Sequence, residues 1–141
     1  MSDVFVEKRV QSGKLASHVL IAGDPKNPPL MLIHGAGPGA HAASNWSHCF
    51  ADLVKDFYVV AHDMTGFGQS EIPDPLPPHS VTWMGLRIEQ AFGVMDALGI
   101  EKTHVIGNSM GGALALHLMN EAPERFDRAM MMGPAGAPMH R

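Results

Sequence analysis

Apolar residues along this chain fall into short blocks, and the blocks alternate between a strand-like and a helix-like spacing. Val4–Val10 alternates weakly and predicts an opening strand. His18-Val19-Leu20-Ile21 predicts a second, followed by a turn through Gly23–Pro29. Leu30-Met31-Leu32-Ile33 is apolar throughout, as expected of a strand covered on both faces. Phe57–Ala61, Thr103–Ile106 and Asp127–Met132 predict strands four to six. Between them, Trp46, Cys49, Phe50, Leu53 and Val54 recur at helical spacing, which predicts a helix over Trp46–Lys55. Met84–Leu98 predicts a second helix closed by Gly99, and Ala113–Met119 a third. The prolines from Pro73 to Pro78 mark an irregular surface stretch. Strands that alternate with helices imply an α/β fold, a mostly parallel sheet with helices on both faces.

Sites in such sheets lie at the carboxyl ends of the strands. Three Gly-rich segments fall there, His34–Ala40, Asp63–Ser70 and Gly107–Gly112, after strands three, four and five. The last reads Gly107-Asn108-Ser109-Met110-Gly111-Gly112 and joins a strand to a helix. A Gly-x-Ser-x-Gly pattern in that setting is a nucleophile elbow, a turn too tight for side chains at the flanking glycines. It presents Ser109 as a nucleophile, and the N–H of Met110 faces the same place. The alternative is a flexible Gly-Ser turn, which the flanking strand and helix disfavour. A backbone N–H from the first loop, opposite Met110, would complete an oxyanion hole. That loop carries neither Gly-x-x-x-x-Gly-Lys-Ser/Thr nor Gly-x-Gly-x-x-Gly, so a phosphate cradle is disfavoured. Asp63 is expected to order loops by hydrogen bonding rather than to do chemistry.

Composition narrows the function classes. The 141 residues suit one domain; 45% are hydrophobic and 17% charged, with a net charge of -4. No basic cluster points to nucleic acid or a membrane surface, and no apolar run approaches the ~20 residues of a span. The start, Met1-Ser2-Asp3-Val4, lacks the order of a signal peptide, and a lone Cys49 suits a reducing compartment, so cytoplasm is expected. His34, His41 and His48 recur every seven residues, but across a Gly/Pro loop, and no His-Glu-x-x-His occurs; no metal or cofactor is expected. The eleven methionines read as core filler.

The order His-Gly-x-Gly-Pro-Gly, Asp-x-x-Gly-x-Gly-x-Ser, Gly-Asn-Ser-Met-Gly-Gly resembles the α/β-hydrolase superfamily. Within it, His34–Ala40 with Trp46, the elbow, and Met132-Gly133-Pro134 resemble the meta-cleavage-product hydrolases of bacterial aromatic degradation. Those enzymes hydrolyse a carbon–carbon bond in 2-hydroxy-6-oxo-dienoates. The resemblance implies Ser109 as nucleophile and the N–H groups of Ala36 and Met110 as the oxyanion hole. Asn108 would contact the dienoate, and the candidate substrate contacts are completed by Gly35, Gly37 and Asn45. Two positions depart from the pattern: His48 stands where relatives often carry Asn, leaving Asn45 to supply the amide, and Ala113 stands where some carry His. The implied partner is a small-molecule substrate, a dienoate or an ester, with homo-oligomers a further expectation for a full-length form.

A serine nucleophile needs a general base and an acid to orient it, in the chain order Ser, Asp or Glu, His. After Ser109 the histidines are His117, two turns into a helix, and His140, beside the terminus; Glu121, Glu124 and Asp127 read as surface acids. The acid and base are therefore expected beyond Arg141, in a hydrolase roughly twice as long. On this reading residues 1–133 are the amino-terminal part of the core, and 134–141 begin the connection to a lid. The competing class is a non-catalytic α/β module that kept the elbow without its base.

Overall fold

The computed structural model describes residues 4–134, which form one six-stranded sheet in the order β1-β2-β4-β3-β5-β6. The strands are β1 (Val6–Ser12), β2 (Leu15–Ala22), β3 (Pro29–Ile33), β4 (Tyr58–His62), β5 (Thr103–Asn108) and β6 (Phe126–Met132). β1 and β2 form an antiparallel hairpin, and β2 joins β4 antiparallel; the other three pairings are parallel. The helices are α1 (Ala42–Trp46), α2 (Phe50–Leu53), α3 (Ser80–Ala97) and α4 (Met110–Glu121).

All six predicted strands are present, but several boundaries move. The predicted helix over Trp46–Lys55 begins earlier, at Ala42, and a single 3-10 turn at Ser47–Cys49 splits it. Ala42 and Ala43 carry too little apolar signal to announce a helix, although Ala42 is fully buried. α3 begins four residues before the predicted Met84, because its first turn, Ser80-Val81-Thr82-Trp83, is largely exposed and mixes polar with apolar residues, Val81 being among the most exposed apolar side chains. The 134–141 segment, His140 included, lies outside the described residues from 135 onward.

Alternation along the strands divides the core into two layers, as period-two side-chain geometry requires. On one face Val19, Ile21, Met31, Ile33, Val60 and Val105 pack under Ala91, Val94 and Met95 of α3 and Leu114, Ala115 and Leu118 of α4. On the other, Leu20, Leu30, Leu32, Val59 and Ala61 pack against Ala42, Trp46 and Phe50 of α1 and α2. The chain leaves β3 to build β4 on one side, then crosses to build β5 on the other. The connections after β3 and β5 leave on opposite faces, which opens a crevice at the carboxyl ends of those two strands. Ile33 is level with both His62 and Gly107, so the three Gly-rich loops emerge at one height.

Candidate active site

β5 ends at Asn108, and α4 starts at Met110; Ser109 is the single residue between. It holds φ 56, the only positive φ at a non-glycine residue described. A serine in that region stores strain that the surroundings must hold. They do so by close backbone packing. A Cβ at Gly107 would lie 2.3 Å from the Gly111 carbonyl oxygen, and one at Gly111 would lie 2.3 Å from that of Ile33. Both glycines of the motif are thus required by backbone that cannot move aside. The Ser109 N–H donates to the Met132 carbonyl at 2.8 Å, and the Ser109 carbonyl accepts from Gly112 and Ala113. The backbone is clamped while the side chain stands exposed.

Beside Ser109 lies a cleft of about 370 Å³ lined by the loop Gly35–Ala40 and by Ser44, Asn45, Asn108 and Ser109. The fold thus brings together residues from three places in the chain that the sequence singled out, among them Gly35, Ala36, Gly37, Asn45, Asn108 and Ser109. Asn45 and Asn108 are bonded to each other: the Asn45 Oδ1 accepts from Asn108 Nδ2 and from the Gly35 N–H, both at 3.1 Å. This leaves Asn45 Nδ2 and Asn108 Oδ1 without partners among the described residues. The N–H groups of Ala36 and Met110 likewise meet no acceptor among them. The Met110 N–H is one of the free donors of the first turn of α4, at the positive end of its dipole. The Met110 side chain is turned away from the cleft residues, onto Arg87.

The loops on either side are pinned by two buried groups. His34 Nδ1–H donates to the Gly35 carbonyl at 2.6 Å, and Nε2 accepts from the Met64 N–H at 2.9 Å. That pair of partners requires the neutral ring, and burial pulls its pKa below the ordinary value despite the Gly35 carbonyl and Asp63. Asp63 Oδ1 accepts from the Ala42 N–H at 2.8 Å; its Oδ2 accepts from the Gln69 N–H at 2.9 Å and meets His18 Nδ1 at 2.8 Å. Burial raises the Asp63 pKa, but the Gln69 and Ala42 N–H groups and His18 outweigh it and hold the carboxyl below its usual range. Asp63 is an ionised loop anchor, as expected. Sequence reasoning missed its partner His18, and also Gln90, which bonds the Asp63 carbonyl and the Thr65 N–H. A buried polar pair on an otherwise apolar strand and helix was the available signal.

Among the described residues no histidine hydrogen-bonds the Ser109 hydroxyl. Both ring nitrogens of His34 are spent, and His117 is exposed on α4. Among the described residues no group of three His, Cys, Asp or Glu side chains could hold a metal ion, and no helix is long and apolar enough to cross a membrane.

The chain belongs to the α/β-hydrolase fold family, whose model matches residues 28–141. It is 45% identical over 108 residues to a 2-hydroxymuconate semialdehyde hydrolase of Pseudomonas sp. (strain CF600), covering 77% of this chain and 37% of that protein. Among solved structures it resembles the 2-hydroxy-6-oxo-6-phenylhexa-2,4-dienoate hydrolase of Rhodococcus sp. strain RHA1, with a TM-score of 0.94 and 58% identity over 97% of this chain and 49% of that one. It also resembles a meta-cleavage product hydrolase of Pseudomonas fluorescens IP01, with a TM-score of 0.83 and 36% identity over 94% and 46% of the two chains. The chain thus spans at most about half the length of these relatives.

Proposed function

We propose that this chain is the nucleophile-bearing half of a serine hydrolase that cleaves a carbon–carbon bond in 2-hydroxy-6-oxo-dienoates. One observation carries the chemistry: Ser109 stands exposed at φ 56 on a clamped elbow, beside a cleft with unpartnered backbone donors. The similarity to dienoate hydrolases carries the substrate class. The Ser109 hydroxyl attacks the 6-oxo carbonyl, and its proton passes to a histidine base. Charge that develops on the carbonyl oxygen is met by the N–H groups of Ala36 and Met110, which are free for that purpose. Fixed donors of this kind need no reorganisation as charge develops. Asn108 and Asn45, locked to each other, hold the dienoate through Asn108 Oδ1 and Asn45 Nδ2, with Gly35 and Gly37 allowing close approach. With the dienol ketonised (its 2-OH proton moved to C5), the C5–C6 bond breaks and its electron pair passes to the C2 oxygen. That dienolate takes the proton held by the histidine and leaves as the 2-hydroxydienoate. Water then gives OH to the acyl group and H to Ser109, releasing the acid.

The base, its acid and a lid belong to the part of such an enzyme that this chain, spanning at most about half the length of its relatives, does not cover. Such an enzyme needs no cofactor, acts in the cytoplasm on a small molecule, and forms homo-oligomers in its full-length form. The test uses a chain that carries both halves. Loss of the substrate's yellow colour reports carbon–carbon cleavage, and a simple ester of similar size serves as the competing substrate. Ser109→Ala should abolish turnover while substrate binding survives. Turnover that persists in that variant would remove Ser109 from the mechanism. Faster turnover of the ester than of the dienoate would replace the substrate assignment and leave the nucleophile standing.

A further inference from the structure

Arg87, on the first half of α3, is a cation without an anion. Its guanidinium is half-buried, and burial lowers its pKa, yet none of the ion pairs among the described residues includes it. Instead it lies between two aromatic rings, 5.3 Å from the centroid of Phe67 and 5.2 Å from that of Trp83. Nε–H donates to the Thr65 carbonyl at 3.0 Å, and Nη1–H points at the Met110 sulfur at 3.6 Å. Desolvating a guanidinium costs stability unless something is gained, and here the gain is not a salt bridge.

The contacts of Arg87 lead to both candidate oxyanion donors. Met110 carries one of them, and Arg87 grips its side chain directly. The other route runs through Phe67, whose ring meets His34 edge-on at 5.2 Å. His34 in turn donates to the Gly35 carbonyl, one residue before Ala36. Resting on the hydrolase reading above, we propose that Arg87 is a positioning residue that fixes the geometry of the oxyanion hole. An unbranched thioether has three rotatable bonds and does not fix its own backbone. Held by Nη1–H, the Met110 side chain has one place to lie, and the first turn of α4 is held with it. The stacked guanidinium also sets the loop after β4 at a fixed distance from α3, through Thr65 and Phe67.

The experiment again uses a chain with both halves. Arg87→Met keeps length and apolar contact while removing the charge and the fork; Arg87→Lys keeps the charge alone. Removal of one oxyanion donor costs roughly 100-fold or more in kcat, so loosening one should cost about 10-fold. The expected result is a kcat reduced about 10-fold in Arg87→Met with KM changed less than about 2-fold, and a smaller loss in Arg87→Lys. Met110→Leu should lower kcat similarly, and the double variant should be no worse than the worse single, since both act on one contact. An unchanged kcat in folded Arg87→Met, or losses that multiply in the double variant, would overturn the proposal. Should Arg87→Met fail to fold, Arg87→Lys with Met110→Leu gives the same cycle. Failure of the hydrolase reading shows separately, as turnover that survives Ser109→Ala whatever Arg87 does.

Discussion

The two faces of the sheet are finished to different degrees. Under α3 and α4, one layer runs unbroken from Val19 on β2 to Val105 on β5 and Phe126 on β6, with all of these buried. Under α1 and α2, the other layer stops near β3. Beyond it, Leu30, Leu53, Phe57, His104, Ile106 and Met130 line an open trough of about 610 Å³. The same strands feed both layers, so the difference arises from the helices that cover them. A strand of alternating apolar residues specifies two faces but supplies cover for neither. The comparison breaks most directly through matched truncations. Leu118→Ala, on the closed layer, should cost about 2–5 kcal/mol, the transfer loss plus a cavity the helix cannot collapse. Ile106→Ala, facing the trough, should cost about 1 kcal/mol, because water already reaches that wall. Urea unfolding of the two variants at low protein concentration measures both; equal losses would mean that the two layers are equally packed.

Acid should distinguish the layers next. His62 closes β4, level with Val19 and Ile33 of the finished layer, fully buried, with neither ring nitrogen bonded. Burial, helped by neighbouring His34 and opposed by Asp63, lowers its pKa from 6.5 to about 4. The ring is neutral when folded, and the unfolded chain takes up the proton first. Stability is therefore complete above about pH 6.5, falls as the pH drops toward 4, and is level below that as far as this group is concerned. The loss is about 3 kcal/mol over that window. His34, whose pKa is also depressed, adds to it in the same direction. Asp63 acts lower, below the ordinary carboxylate range. Replacing His62 by Leu should remove most of the slope between pH 6.5 and 4 in denaturation midpoints. A slope that persists unchanged would assign it to His34 instead.

The parts of the molecule that could be read from sequence are those whose physics is local. β3, β4 and β5 announce themselves because each is apolar on both faces, and the elbow because its glycines answer to backbone four or five residues away or to the end of the adjacent strand. Ser109, Asn108 and the loop around Ala36 fall together because they stand at the ends of neighbouring parallel strands, and Asn45 joins them from α1. The pairings that lock those loops were not legible. His18 meets Asp63 across 45 residues, Asn45 meets Asn108 across 63, and Arg87 meets Met110 across 23; no period in the chain encodes such a contact. Arg87 in particular sits in a helix where an exposed cation would look identical. The hairpin turn at Gly13 and the first turn of α3 were missed for the opposite reason: their residues are largely exposed, and carry no apolar pattern.

The smallest effect on stability sharpens the contrast at the two edges of the sheet. β1 is an edge strand with Glu7, Lys8, Arg9 and Gln11 exposed on its two faces, charges and an amide that discourage a further strand. β6 is the opposite edge, and it exposes Met130 and Met132 beside the trough. Past Asp127 and Arg128 the methionine end of β6 runs beside a mostly apolar trough, a surface that water covers poorly, so this chain on its own should self-associate or bind a hydrophobic dye. Met130→Lys places a charge on that edge without touching the closed layer. It should shift stability by no more than about 0.5 kcal/mol, yet reduce dye fluorescence and the associated fraction in sedimentation. Lys8→Met on β1 is the reciprocal change, and it should increase association by making the guarded edge resemble the bare one. If Met130→Lys left both dye binding and association untouched, the exposed surface would lie elsewhere, and the unfinished layer would not be what governs the chain's behaviour in solution.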